Sequence, residues 1–173
     1  MENLTNESYT FKDIDDKILI LDYIGDSKDV VIPDYINNKP VVAIMREAFD
    51  NKKLEAVVLP KYLEFIDEDA FYQNQIKEIV IPASVIKIGG GAFGRNKIEK
   101  LTIEAEIDSL PMFCFVGNNI ENLTIPASVT SISNDCFGEN KYLKKVTLPE
   151  CLLEDKKNIF GGCDIDNITF IPI

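Results

Sequence analysis

Runs of carboxylates are the side chains in this sequence whose type and spacing come closest to a catalytic or metal-binding pattern. The run Asp67–Asp69 could supply the acid and the base of a glycoside hydrolase. The cluster Asp13–Asp16 offers oxygen ligands for calcium, but it lacks the glycine and the distal glutamate of an EF-hand loop. Because histidine is absent from all 173 residues, Ser-His-Asp and Cys-His nucleophile arrangements are excluded. We predict no catalytic, cofactor-binding or metal-binding residue, and therefore no enzyme.

The glycine run and the cysteines are weaker chemical signals. Gly89–Gly91 lacks the spacing of a phosphate-binding loop and aligns with polar residues at Ser133–Asp135, so we interpret it as a turn. Cys114 and Cys136 occupy equivalent places in two successive repeats, where other repeats have alanine. A disulfide and a pair of reduced core thiols both fit that position.

A sequence repeat positions these groups. The unit Ile76–Asn96, IKEIVIPASVIKIGGGAFGRN, recurs at a step of 22 residues, with one step of 23 in which Tyr142 or its neighbour is extra. A fixed period of this length is typical of a solenoid, in which each coil buries its apolar face against its neighbours. A degenerate first coil covers Val30–Lys53, and the second to sixth coils start at Leu54, Ile76, Ile98, Ile120 and Leu143. The pattern begins once more at Ile165.

Each coil is predicted to open with a strand and to close on a phenylalanine. Apolar residues alternate in the opening segment, as in Ile79 and Ile81, and a proline such as Pro82 ends the strand because it cannot donate to a ladder. A second short apolar pair follows, and endings such as Gly94–Asn96 suit a tight turn with positive φ. We expect the phenylalanines to stack in one ladder inside the solenoid. They are Phe71, Phe93, Phe115 and Phe137.

The outward positions of the opening strands form the candidate binding surface. Repeat arrays use such a face for extended protein recognition. Counted from the first residue of each coil, these outward residues stand at the third and fifth positions. The residues at the fifth position, which we call the fifth-position row, change from valine to threonine along the chain, although both residues are also simply good strand formers. The same count extends the third- and fifth-position rows to Asn167 and Thr169. The candidate face residues are Ala56, Val58, Glu78, Val80, Lys100, Thr102, Asn122, Thr124, Lys145 and Thr147.

The two ends of the chain depart from the repeat. Two apolar runs within Tyr9–Ile24 predict a β-hairpin with the acidic cluster at its turn, and we assign residues 1–29 to an N-terminal hairpin cap. Residues 30–173 form a solenoid of about six coils, so the chain is a single domain. In the sixth coil Asp155 stands where an apolar residue is expected. A final strand is predicted over Ile165–Phe170, with no evident cap after it.

Composition limits the classes of partner. A hydrophobic content of 46% with 27% charged residues is typical of a folded chain. The net charge of −11 argues against a nucleic-acid partner and against charge-driven docking on an anionic membrane. No segment reaches the roughly 20 apolar residues that a membrane helix needs. The N-terminus shows no signal peptide, which would leave the protein in the cytoplasm if Met1 is the native start.

One residue pattern recurs in the units IVIPASVIKIGGGAF and LTIPASVTSISNDCF and in the opening segment VVIPDYINNKPVVAIMREAF. They resemble the BspA-like leucine-rich repeats of bacterial and protozoan surface proteins, over roughly residues 10 to 173. The resemblance implies a right-handed, mainly β leucine-rich repeat solenoid, with a parallel sheet on one face and short strands or turns on the other. It also implies adhesion or host-protein binding, and a location at the cell surface or outside the cell. The family has no shared catalytic residues.

The sequence therefore predicts a non-enzymatic repeat module that presents its parallel sheet to a protein, such as a host or extracellular-matrix protein, or to a glycan. Two alternatives stay open. One is a carbohydrate-active enzyme that uses surface carboxylates such as Asp67 and Asp69, and the other is a structural segment of a longer adhesin. The open C-terminal coil also offers a surface for self-association.

Overall fold

The computed structural model describes residues 4–173, so the first three residues of the predicted 1–29 cap lie outside the described part. The helices are α1 (Lys156–Ile159) and two 3-10 helices, Glu150–Leu152 and Ile165–Asn167. No helix in residues 4–173 is long and apolar enough to cross a membrane. The strands are β1 (Leu4–Thr5), β2 (Tyr9–Ile14), β3 (Lys17–Tyr23), β4 (Asp29–Val31), β5 (Tyr35–Ile36), β6 (Lys39–Ile44), β7 (Ala56–Val58), β8 (Phe65–Ile66), β9 (Glu78–Ile81), β10 (Lys87–Ile88), β11 (Lys100–Ile103), β12 (Ser109–Leu110), β13 (Asn122–Thr124), β14 (Ser131–Ile132), β15 (Lys145–Leu148) and β16 (Thr169–Pro172).

The opening strands of successive coils line up as a parallel sheet, which we call the front sheet. β4 pairs with β7, β9 pairs with β11, and β15 pairs with both β13 and β16. In β9, Ile79 and Ile81 face the core while Glu78 and Val80 face solvent, which is the alternation that the sequence predicts. The second apolar pair of each coil forms a back sheet, in which β8 pairs with β6 and β10, and β12 pairs with β14, again in parallel. The core lies between the two sheets.

The predicted hairpin is present at the N-terminal end. β2 and β3 pair antiparallel, and Asp15 and Asp16 form the turn between them with positive φ. Lys39 offsets part of the charge of this acidic cluster, since its Nζ lies 2.6 Å from Asp13 and 3.1 Å from Asp16. Because β3 also pairs in parallel with β6, the hairpin continues the back sheet. The boundary at residue 29 between a cap and the solenoid stays a prediction.

A stack of aromatic rings runs through the core, as the spacing of the phenylalanines predicts. Neighbouring phenylalanine centroids lie 4.9 to 5.9 Å apart with nearly parallel planes. Tyr23 extends the stack 5.2 Å beyond Phe49, and Phe170 lies 5.6 Å from Phe160 at the other end. Each buried ring stabilises the fold by about 1.5–3 kcal/mol. The stacked phenylalanines are Phe49, Phe71, Phe93, Phe115, Phe137 and Phe160.

A second ladder, of buried asparagines, runs beside the rings at positions where the sequence predicts only turns. Asn96 is buried, and its Oδ1 accepts a hydrogen bond of 3.1 Å from the backbone N–H of Ile76. Its Nδ2 donates to the carbonyl oxygens of Phe71, Phe93 and Gly94 at 2.9, 3.2 and 3.3 Å. One side chain thus ties two coils together and satisfies backbone groups that no strand can pair. The ladder consists of Asn74, Asn96, Asn118 and Asn140.

The predicted positive φ is present at the ends of the coils, in the residue directly before the buried asparagine. That residue is Arg95 with φ 52°, Gly117 with φ 65° or Glu139 with φ 56°. In the sixth coil Cys163 takes the place of the asparagine, and its Sγ donates to the carbonyl oxygen of Phe137 at 3.4 Å. The ladder therefore loses most of its hydrogen bonds at the last coil.

The sixth coil departs further from the repeat than predicted. Asp155 precedes α1, which replaces the back-sheet strand, while Phe160 stays in the aromatic stack. The predicted final strand, Ile165–Phe170, is wrong in its bounds, because Ile165–Asn167 is a 3-10 helix and pairing with β15 begins at Thr169. A helix advances about 1.5 Å per residue against about 3.3 Å for a strand, so this coil needs more residues to close.

Cys114 and Cys136 are free thiols in the core. Burial raises the pKa of both thiols, and for Cys114 the neighbouring Cys136 adds to the rise. Both therefore stay protonated at neutral pH and serve as small apolar side chains beside the aromatic stack. Of the two alternatives that their spacing left open, the structure has the reduced one.

Candidate functional site

The outward surface of the front sheet, which we call the front face, carries the ten residues that the sequence singles out. Because side chains alternate along a strand, the same strands that bury the core residues project these residues into solvent. Thr147 is half-buried and the others are exposed. They are Ala56, Val58, Glu78, Val80, Lys100, Thr102, Asn122, Thr124, Lys145 and Thr147.

Strand register extends these residues at both ends. The sequence missed Val31, because the first coil is degenerate, and Ile171, because the sixth coil is longer than predicted. Asn167 belongs to a 3-10 helix and not to the sheet, while Thr169 pairs with Lys145 and so takes the third position instead of the fifth. The fifth-position row runs Val31, Val58, Val80, Thr102, Thr124, Thr147 and Ile171.

The fifth-position row is apolar in the N-terminal half of the front face. Val31, Val58 and Val80 are 71%, 57% and 41% exposed. Tyr35, in β5, and Tyr62, after β7, are also exposed, and their rings meet edge to face at 5.2 Å. We call the three valines the valine patch. Apolar side chains grouped at a solvent-facing surface are typical of an interaction site.

Charged side chains on and beside the front face pair across neighbouring coils. Lys100 lies 3.6 Å from Glu78, and Lys28 lies 3.1 Å from Glu55. Exposed pairs of this kind stabilise a fold by at most about 1 kcal/mol each. They also offset charge locally, so the feature that distinguishes this face is the valine patch and not a field of one sign.

A cleft of about 780 Å³ opens the front face between β11 and β13. Within residues 4–173 these two strands do not pair, and Leu101 of β11 is only half-buried where Ile79 and Leu123 are buried. Tyr142, at the 23-residue step, is 63% exposed on its rim, and Asn119 also lines it. The cleft therefore offers an aromatic ring and side-chain amides to a ligand.

The carboxylates considered for catalysis lie elsewhere, in a turn after β8. Burial raises the pKa of Asp69, and the charge of Glu47 adds to the rise while that of Arg46 opposes it. A Cβ on Gly91 would displace the Asp69 carboxylate, and the positive φ of Gly91, 68°, favours glycine in this turn. In residues 4–173 no three Asp, Glu or Cys side chains are grouped so that they could hold a metal ion.

Comparison with protein families gives one match. Residues 42–166 match the family described as "BspA type Leucine rich repeat region", in six copies. These residues make up most of the chain and contain the opening strands from β7 to β15. No curated protein sequence matches the chain.

Solved structures share the fold. The chain superposes on the pneumococcal vaccine antigen PcpA with a TM-score of 0.66 and 18% identity, covering 87% of this chain and 50% of that one. It superposes on a leucine-rich repeat protein of T. pallidum with a TM-score of 0.59 and 20% identity, covering 99% of this chain and 82% of that one. On a leucine rich cell surface protein of Faecalibacterium prausnitzii the TM-score is 0.54 and the identity 21%, covering 84% of this chain and 54% of that one.

The chain thus spans about half the length of the pneumococcal and Faecalibacterium proteins. At such identities the likeness establishes the fold alone. The predicted leucine-rich repeat solenoid and the predicted family resemblance are both confirmed.

Proposed function

The chain belongs to the BspA type leucine-rich repeat family, and from this premise we propose that it is a non-enzymatic binding module whose front face docks a protein partner. The observation that carries the proposal is the valine patch. Its valines occupy outward positions of strands whose inward side is locked in the core. The patch is therefore apolar, exposed and rigid, and binding to it costs little ordering of the module itself.

The composition of the front face fits a protein partner in two ways. Shortly after β4 and β7 in the chain, the exposed Tyr35 and Tyr62 add large side chains of the type that dominates binding energy at protein interfaces. Farther along, Thr102 and Thr124 replace valine in the same row, so the apolar patch passes into a surface that can exchange hydrogen bonds. A partner that covers both halves would bury its apolar side chains at one end and satisfy its polar groups at the other.

We place the partner outside the cell, as a host or extracellular-matrix protein. The support for this location is the family and the similarity in fold to a leucine rich cell surface protein. Self-association is a secondary proposal, supported by the exposed Ile171 and Ile173 at and beside β16.

A glycan partner is a second candidate, and the cleft between β11 and β13 favours it. Tyr142 presents an exposed ring there, and Asn119 and Asn122 present amides. A glycan held in this way would depend on the Tyr142 ring and would not need the valine patch.

The test is capture of serum and extracellular-matrix proteins by the purified chain, followed by affinity measurements on the captured protein. We expect Val58→Arg to weaken binding at least tenfold, because it places a charge in the centre of the valine patch. Ile86→Arg is the matched control, since Ile86 is equally exposed but lies outside the front sheet strands. Both variants should unfold at the wild-type urea concentration.

Other outcomes separate the alternatives. A captured protein that binds Val58→Arg as tightly as the wild type would refute the valine patch as its site. Binding in a glycan panel that Tyr142→Ala abolishes would favour the glycan candidate. Turnover of a glycan that Asp67→Asn abolishes would replace the proposal with an enzyme.

A further inference from the structure

Phe113 is a bulky residue held in a backbone conformation that favours glycine. Its φ is 60°, and the residues at the equivalent place in other coils are small or polar, namely Glu47, Asp69, Gly91 and Asp135. The left-handed region is disfavoured for any residue with a Cβ, most of all for bulky ones. Burial does not compensate here, because the Phe113 side chain is 44% exposed. Strain retained at the surface in this way points to a functional role for the ring.

A cleft of about 520 Å³ opens beside Phe113. It exists because the preceding coil has Gly90 and Gly91 at the places where later coils carry side chains. The positive φ of Gly91, 68°, favours glycine over any residue with a side chain at this place. None of the residues around the cleft belongs to a front-sheet strand. Its apolar lining is Tyr72, Met112, Phe113 and Val116.

The rim of the cleft has an excess of negative charge. Glu68, Asp69 and Glu139 line it, against a single cation, Arg95. Glu68 is paired with Arg46, whereas Asp69 and Glu139 form no ion pair within residues 4–173. A positively charged ligand would offset the excess of negative charge on the rim, and the net charge of −11 would steer it toward the protein.

We propose that this cleft binds a basic segment of a partner protein, with an apolar side chain packed on Phe113 and Met112 and with lysine or arginine side chains paired to Asp69 and Glu139. The apolar residues of the cleft select the apolar side chain of the partner, and the acidic residues on its rim select the lysine or arginine. This surface is separate from the front face, so the proposal stands or falls independently of the function assigned to the valine patch.

The experiment selects peptides from a random library of about a dozen residues displayed on phage, using the full chain as bait and Phe113→Gly for counter-selection. We expect the enriched peptides to combine lysine or arginine with an aromatic or large aliphatic residue. The affinity of one such peptide is then measured for the wild type and for variants. Phe113→Gly should weaken binding at least tenfold and Glu139→Gln about threefold. Ile86→Gly, which removes an exposed apolar side chain that does not line the cleft, should leave the affinity unchanged.

The midpoint temperature of thermal unfolding distinguishes a Phe113 ring that is exposed for binding from one that stabilises the fold. Glycine adopts the Phe113 backbone conformation without strain, so Phe113→Gly should melt at or above the wild-type temperature. A clear fall in its midpoint would show that the ring supports the fold, and it would overturn the proposal. Failure to enrich any peptide that distinguishes the wild type from Phe113→Gly would overturn it too, as would enrichment of acidic peptides or equal loss of binding in Ile86→Gly.

Discussion

The inward and outward sides of the front sheet are built from the same strands, yet only the inward side repeats strictly. In β9, Ile79 is buried and is matched by Val57, Leu123 and Val146 in other coils. Its outward neighbour Val80 is exposed, and threonine replaces it farther along. Packing against the coils above and below fixes the inward residue, whereas solvent imposes no such requirement on the outward one.

This difference separates the residues that determine the fold from the residues that can specify a partner. The inward ladders of phenylalanine and asparagine determine the fold, so their substitution is expected to cost stability and to change binding only through unfolding. The front face can vary at almost no cost to stability, so it is where a partner can be specified. Predictions about the two sides should therefore differ in both magnitude and readout.

The largest effect is expected in the aromatic stack. Phe93→Ala removes a fully buried ring between Phe71 and Phe115, and it should destabilise the fold by about 3–5 kcal/mol. Chemical denaturation measures this loss. Tyr142→Ala is the control, because the same kind of ring is lost at an exposed site and the change should stay within about 0.5 kcal/mol. Equal losses in the two variants would contradict the comparison.

The asparagine ladder should come second. Asn96→Ala leaves the buried backbone N–H of Ile76 without its partner. It also removes one of the two asparagine donors from the carbonyl oxygens of Phe71 and Phe93. The expected loss is about 2–3 kcal/mol, measured by denaturation. Asn119→Ala removes a half-buried asparagine nearby and should cost far less. If the two variants lose the same stability, the ladder does not hold the coils together as the hydrogen bonds indicate.

These two ladders were not equally predictable from the sequence. The phenylalanine spacing gives the stack directly, since a large apolar residue at a fixed step has one plausible place in a solenoid. Asparagine is both a common turn residue and a competent buried hydrogen-bonding residue, and its spacing suits either role. The buried role of Asn96 emerges only when two coils stand close enough for one side chain to reach both.

The irregular places were predicted least well, for a related reason. The shift of the last strand to Thr169 follows from α1, whose formation at Asp155 the repeat pattern does not encode. The cleft beside Tyr142 depends on a missing strand pairing, which is a property of two coils together. The left-handed conformation of Phe113 contradicts local propensity and could only be observed. In each case tertiary context overrides the local pattern.

The smallest effect is expected at Asp69, which belongs neither to the ladders nor to the front face. Burial raises the pKa of this carboxyl above its ordinary value of 3.8, so the fold favours the neutral form. The stability that the neutral form contributes is present at low pH and is lost as pH rises through the raised pKa. Asp69→Asn, which tolerates the same positive φ, should therefore gain less than about 1 kcal/mol at pH 7, and the gain should vanish near pH 3. Denaturation of both proteins at the two pH values measures it, with the exposed Glu154→Gln as control. A variant less stable than the wild type at pH 7 would mean that the Asp69 carboxylate makes a favourable contact, and the turn would then resemble the ladders more than the surface.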